Sequence, residues 1–172
     1  MAIARVIRIL PFCGKLRIMA GTVNLQDIVD ELSTMFDENK SFVDRETGEV
    51  ITVSLDDLHA AEEEDEEDAD KTCLAIVKDP GRYAWLPTKH DFNSWEIMRE
   101  FCEEVEPPKR RDRLLAAIHG RGAFRYFKDL ATEFGIIDEW YAFEEDALRD
   151  IAREWCEENG IACTDKRRAR AE

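Results

Sequence analysis

Apolar residues first recur at a helical interval behind Asn24, where Leu25, Ile28, Val29, Leu32, Met35 and Phe36 fall on one face. Asn24 is suited to accept from the amides of the first turn, and Asp27 follows three residues later, so the pattern predicts an amphipathic helix with Asn24 as its cap. From Ser41 the period changes. Phe42-Val43-Asp44 and Glu49-Val50-Ile51-Thr52-Val53 flank Arg45-Glu46-Thr47-Gly48, and the β-branched residues with a glycine free to take positive φ predict a hairpin. A lone hairpin is marginal in water and must gain a strand or pack on a helix. Cys73-Leu74-Ala75-Ile76-Val77 and, after the turn at Asp79-Pro80-Gly81, Tyr83-Ala84-Trp85-Leu86 read as one or two such strands.

After Pro87 the helical interval returns and persists. Trp95, Met98, Phe101, Cys102 and Val105 share one face of a helix capped near Asp91, Asn93 or Ser94, and its other face holds Glu96, Glu100, Glu103 and Glu104. Pro107 and Pro108 end it. The next helix opens on Lys109-Arg110-Arg111-Asp112-Arg113, placing cations at the positive end of the helix dipole, which calls for an acidic neighbour; the Glu-rich helix before it is the simplest one. Leu114, Leu115 and Ile118 continue the apolar face to Gly120-Arg121-Gly122, where a tight reversal starts a further helix through Phe124, Phe127, Leu130, Ala131 and Phe134. Gly135 stops it. Asp138 caps a last helix, from Glu139 to Asn159, with Trp140, Phe143, Ala147, Leu148, Ile151, Ala152 and Trp155 on its buried side and Gly160 at its end. The expected fold is α+β: an N-terminal helix and small antiparallel sheet, then a bundle of about four helices. The expected organisation is a basic, disordered extension over 1–20, a single domain over 21–161 and a basic polar tail over 162–172, disordered from Thr164.

Charge modifies this picture. The chain of 172 residues carries a formal net charge of -15, with 37% charged and 44% hydrophobic residues, so its core needs no metal or disulfide. Ten acids crowd Asp56 to Asp70, which predicts a solvated loop at 56–71 or a frayed helix; the ordered spacing and central glycine of a calcium loop are missing. Cations concentrate elsewhere: Arg5, Arg8, Lys15 and Arg17 in residues 1–20, without an acid, and seven between Lys109 and Asp129. Met19 precedes the first well-patterned segment and is a candidate native start. The five cysteines are odd in number and form no Cys-x-x-Cys pair, which argues against a disulfide framework and a zinc ribbon and favours a reducing cytoplasm. No apolar run is long enough for a membrane span.

Three ordered stretches carry a resemblance: Asp44-Arg45-Glu46-Thr47-Gly48-Glu49-Val50, then Gly120-Arg121-Gly122-Ala123-Phe124-Arg125-Tyr126-Phe127-Lys128-Asp129, then Asp138-Glu139-Trp140-Tyr141 with Ile151-Ala152-Arg153-Glu154-Trp155. Together, over Leu25 to Ile161, they resemble a bacterial family of small acidic proteins, uncharacterised protein family 0158 of the UPF series. The family has no established activity, so the resemblance implies no site residues, and residues 1–20 have no counterpart in it.

Candidate chemistry centres on the glycine reversal. The first amides of the helix after Gly122 lack intrahelical partners, and Gly120, Arg121, Gly122, Arg125 and Lys128 form a candidate site for an anion or an acidic partner. His119 with Asp129 is the most tempting catalytic pair, but a histidine near a helix end ordinarily serves the terminal carbonyls. Glu144, Glu145 and Asp146 read as first-turn acids. His59, His90 and His119 show no metal-ligand spacing, and no Walker, dinucleotide or nucleophile-elbow motif is present. The expectation is a non-enzymatic interaction or regulatory domain without cofactor, partnered by another protein or a second copy of itself, with Trp85, Trp140 and Tyr141 as candidate anchors. The alternative is nucleic-acid or phosphate-ligand binding through the basic block, with Tyr126 as a stacking ring; the acidity of the rest of the chain opposes it.

Overall fold

The computed structural model describes residues 21–63 and 70–166. The basic segment 1–20 with its candidate start at Met19, the centre of the acidic run at 64–69 and the tail at 167–172 lie outside these residues. Contacts group the chain into two units, one holding residues 21–88 and 149–166 and the other Lys89–Leu148.

In the first unit, β1 (Thr22–Asn24) leads directly into α1 (Leu25–Thr34). The Asn24 side chain accepts from the Gln26 amide at 3.4 Å, and α1 buries Leu25, Ile28, Val29 and Leu32. Met35 leaves the helix with ψ 132, so Phe36 never joins the apolar face and is 66% exposed, against the sequence expectation. The hairpin forms as its pattern predicts: β2 (Asn39–Asp44) and β3 (Val50–Ser54) are antiparallel, with Phe42 opposite Ile51. Gly48 closes the turn at φ 78 by donating to the Asp44 carbonyl at 2.8 Å, and a Cβ there would sit 2.4 Å from the Thr22 carbonyl oxygen. A larger residue therefore meets both backbone strain and backbone atoms.

The acidic run is helical through Glu62, as α2 (Leu55–Glu62). Ser54 caps it in a reciprocal arrangement, accepting from the Asp57 amide at 3.0 Å and donating to its carboxylate at 2.6 Å. The apolar run at Cys73 is not a strand. It forms α3 (Lys71–Lys78), because Asp70 accepts from the amides of Thr72 and Cys73 and so starts a helix whose buried residues, Cys73 and Ile76, are three apart. These residues pack with Leu58, Ala61, Phe42 and Val53. The second run does become a strand, β4 (Tyr83–Trp85), on the other edge of β2, giving the order β3-β2-β4. Arg82, entering β4, grips Asp44 at the end of β2 with Nε at 3.0 Å from Oδ1 and Nη2 at 2.5 Å from Oδ2. That guanidinium holds the Asp44 carboxyl below its usual range.

The second unit contains α4 (Ser94–Glu104), α5 (Pro108–Ala117), α6 (Ala123–Glu133) and the opening of α7 (Ile137–Glu158). Its centre is aromatic: Phe101 meets Phe127 at 6.0 Å and Trp140 at 5.4 Å between ring centroids, Phe127 meets Trp140 at 4.8 Å, and the rings meet edge to face. The first-turn cations of α5 do not find their acids on the Glu-rich face of α4. Arg111 reaches Glu106 at 3.5 Å and Arg113 reaches Glu133 on α6 at 3.0 Å, while Glu96 and Glu103 of α4 are taken by Arg99 of the same helix. Partners three and four residues away in one helix need no tertiary alignment, which favours Arg99.

The remainder of α7 belongs to the first unit and ends at Gly160, which takes φ 63. Thr164 is not the start of a disordered tail: β5 (Ala162–Thr164) pairs in parallel with β1, Cys163 opposite Val23. Parallel pairing of the two ends of a domain needs partners far apart in sequence, so no local pattern announces it. Arg149, 2% exposed, anchors this end by donating to Asp165 at 2.7 Å and to the Gln26 side chain. The fold is thus α+β and rich in helix, with seven helices, a three-stranded antiparallel sheet and a two-stranded parallel sheet among the described residues.

Candidate binding site at the α5 to α6 junction

The junction is built by backbone demands. The Ile118 amide donates to the Leu114 carbonyl at 3.2 Å as α5 finishes, Gly120 and Gly122 follow at φ 87 and 83, and the amides of Arg125 and Tyr126 return to the Gly122 carbonyl at 3.0 and 3.1 Å. Two left-handed residues in three are costly for any side chain but glycine, which explains Gly-Arg-Gly. Among the described residues, no side chain caps α6.

Phe127 and Ala131 fasten α6 to its unit, and exposed rings stand on both flanks of that buried stripe. Phe124 is 41% and Tyr126 59% exposed, interleaved with Arg125, while Arg121 precedes them in the turn and Lys128 follows one helical turn after Phe124. The cations are weakly engaged. Arg121 has no ion pair among the described residues, Arg125 is 4.0 Å from Asp129 with both side chains in solvent, and the Lys128 ammonium lies 5.8 Å from the centre of the exposed Tyr141 ring. Of the proposed aromatic anchors, Tyr141 is exposed here, Trp85 is exposed in the other unit beneath the Lys40 ammonium, and Trp140 is fully buried.

Around the side of α6, Tyr126 also belongs to an open groove of about 450 Å³ whose walls are Ala116, Ala117 and Leu130 and whose rim is Arg113, Asp129 and Glu133. Glu144 is the residue that sequence reading misplaced. With Glu145 and Asp146 it lies inside α7, whose first-turn acids are Asp138 and Glu139. Burial pushes the Glu144 carboxyl above its usual range and the nearby Lys128 charge opposes that shift, a coupling that three consecutive acids do not reveal. His119 is past the end of α5, with its ring 6.3 Å from that of Trp95 and no ion pair to Asp129. Among the described residues, no three histidines, cysteines or carboxylates gather where a metal could be held, and no helix is long and apolar enough to cross a membrane.

Comparison with known proteins supplies the context for this geometry. The family described as Uncharacterised protein family (UPF0158) matches residues 20–168, nearly the whole chain. The chain belongs to this family. It is similar to UPF0158 protein PA5073 of Pseudomonas aeruginosa, with 28% identity over 137 residues that cover 77% of this chain and 82% of the relative. No solved structure matches it. The UPF0158 match spans both units, and the Gly-Arg-Gly junction falls inside it.

Proposed function

We propose that this UPF0158 member is a non-enzymatic protein-interaction domain whose α6 face receives an acidic segment of a partner protein. The observation that carries the reading is the interleaving of exposed rings and weakly engaged cations: Phe124, Tyr126 and Tyr141 beside Arg121, Arg125 and Lys128. Aromatic side chains and arginine supply most of the affinity at protein interfaces, and rings left in water offer area that a partner can cover. The cations would select the partner and speed its encounter, and a partner rich in Asp and Glu complements them. The acidity of the chain, at -15, favours a partner whose acids are local over a nucleic acid, whose charge extends past the patch. The exposed rings nevertheless support base stacking as a second reading.

The test uses two probes across a salt series: a fluorescein-labelled peptide of alternating glutamate and leucine, and a labelled DNA duplex with its single strand. Peptide binding that weakens tenfold or more in Arg121→Ala/Arg125→Ala and again in Phe124→Ala supports the proposal, tenfold being about 1.4 kcal/mol. Preferential nucleic-acid binding, with a log-log salt slope of roughly -3 to -4.5 on the duplex for three to five phosphates, moves the assignment to the second reading. Binding of neither probe at low salt refutes both.

A further inference from the structure

The end of α7 and β5 bring together two cysteines that lie seven positions apart in sequence. After Gly160 the Ile161 amide donates to the Cys156 carbonyl at 2.8 Å, folding the chain back along the last turn of the helix. In the strand that follows, Cys163 is the register partner of Val23. Register partners project from the same side of a sheet, and Val23 is fully buried, so the Cys163 side chain is directed toward the interior. The two thiols are thereby neighbours, and Cys163 is one of the groups that raise the Cys156 thiol. Their exposure differs: Cys156 is fully buried and Cys163 partly open to solvent.

The geometry points to Cys156 and Cys163 as an oxidisable dithiol, a modification site at which a hydroperoxide converts the pair into a disulfide that ties β5 to α7. Cys163, the accessible sulfur, attacks one oxygen of hydrogen peroxide as its thiolate; the O–O bond breaks, and the departing hydroxide takes up the proton the thiol released and leaves as water. The product is a sulfenic acid. The Cys156 sulfur then displaces it: the S–S bond forms, the S–O bond breaks, and the hydroxyl leaves with the Cys156 proton as a second water. Two thiols lose two electrons and one peroxide gains them. Burial pushes the Cys156 thiol up to about 12, which keeps it protonated and makes it the second sulfur to react. The product secures the strand next to Asp165, which pairs with Arg149 at 2.7 Å and Arg153 at 3.4 Å.

The experiment treats the reduced full-length protein with a small excess of hydrogen peroxide, blocks remaining thiols by alkylation in denaturant, and maps peptides without reduction. The expected result is a Cys156–Cys163 cross-linked peptide, lost on treatment with dithiothreitol, while Cys73 and Cys102 are recovered alkylated. In Cys156→Ala, Cys163 is expected to stop at a sulfenic acid that dimedone traps; the native map decides the matter if that variant does not fold. Over-oxidation of Cys163 to a sulfinic acid with Cys156 recovered free overturns the inference. So does linkage of either residue to another cysteine, or recovery of both thiols intact under peroxide that oxidises glutathione.

Discussion

Replacing the two glycines of the junction separates a backbone role from a ligand role. Gly120 at φ 87 has open space where a Cβ would go, whereas at Gly122, φ 83, a Cβ would lie 3.4 and 3.7 Å from two atoms of the Tyr126 ring. Gly120→Ala therefore reports the left-handed backbone alone, about 1–2 kcal/mol, reduced by the smaller freedom of the unfolded alanine chain to a net loss of about 1 kcal/mol. Gly122→Ala carries the same backbone loss and adds only an ordinary van der Waals contact with the exposed Tyr126 ring, so it is expected to lose about as much. Asparagine tolerates this backbone region better than alanine, and each Gly→Asn variant should recover about half of the loss. In urea unfolding followed by far-UV circular dichroism, 1 kcal/mol at a slope of about 1–3 kcal/mol/M moves the midpoint by about 0.3–1 M without changing the slope. A Gly120→Ala protein as stable as the parent would refute the backbone argument. A Gly122→Asn protein that keeps its stability but loses the acidic peptide would show that the glycine also serves close approach of the ligand.

Two further outcomes follow from the second unit. Trp140 is fully buried, and its indole N–H meets no acceptor among the described residues. Trp140→Phe vacates about 40 Å³, worth about 1 kcal/mol as a cavity beyond the lost transfer energy, but also removes an unsatisfied donor worth about 1–3 kcal/mol. Its net effect should be within about 1 kcal/mol of zero, against about 3–5 kcal/mol for Trp140→Ala, and equal losses in a calorimetric comparison would contradict this. Glu144 is held above its ordinary value of 4.5 by burial, so the folded state binds its proton more tightly than the unfolded chain does. Its contribution is most favourable below the unfolded value and is lost as pH rises through the folded one. Glu144→Gln should therefore gain on the parent in a thermal melt at pH 7, with the gain shrinking toward pH 4; a gain that grows on acidification would reverse the assignment.

Local signals account for what was legible in the fold. The Asn24 cap, the Gly48 turn, the paired prolines and the glycine stops at Gly135 and Gly160 act within a few residues of themselves, and each is where the pattern places it. Short apolar runs were harder. Cys73 to Val77 is β-branched only at Ile76 and Val77 and fits either a buried strand or one face of a helix; the Asp70 side chain, holding two amides, decides for the helix. The β1–β5 pair and the Arg149 anchor join residues more than a hundred positions apart, beyond any window on the sequence.

At the junction the cations and glycines were legible, because charge and the need for positive φ are properties of single residues. Exposure of the rings was not. Helical spacing through α6 marks Phe124 and Phe127 alike as apolar, yet only Phe127 is taken up by Phe101 and Trp140, which leaves Phe124 and Tyr126 on the solvent side. Tyr141 follows the buried Trp140 directly, and adjacent helical positions point about 100° apart, so one enters the aromatic centre and the other comes beneath Lys128. A basic block alone is equally compatible with internal ion pairing, and Arg111 and Arg113 are spent in that way. What distinguishes the junction cations is that Arg121 has no ion pair among the described residues, Arg125 has only a solvent-screened carboxylate, and Lys128, although close to Glu144, also lies over the exposed Tyr141 ring. Substituting the rings, and not the charges alone, is therefore what separates a recognition face from a merely basic one: Phe124→Ala should weaken the acidic peptide while leaving the salt dependence of its binding unchanged.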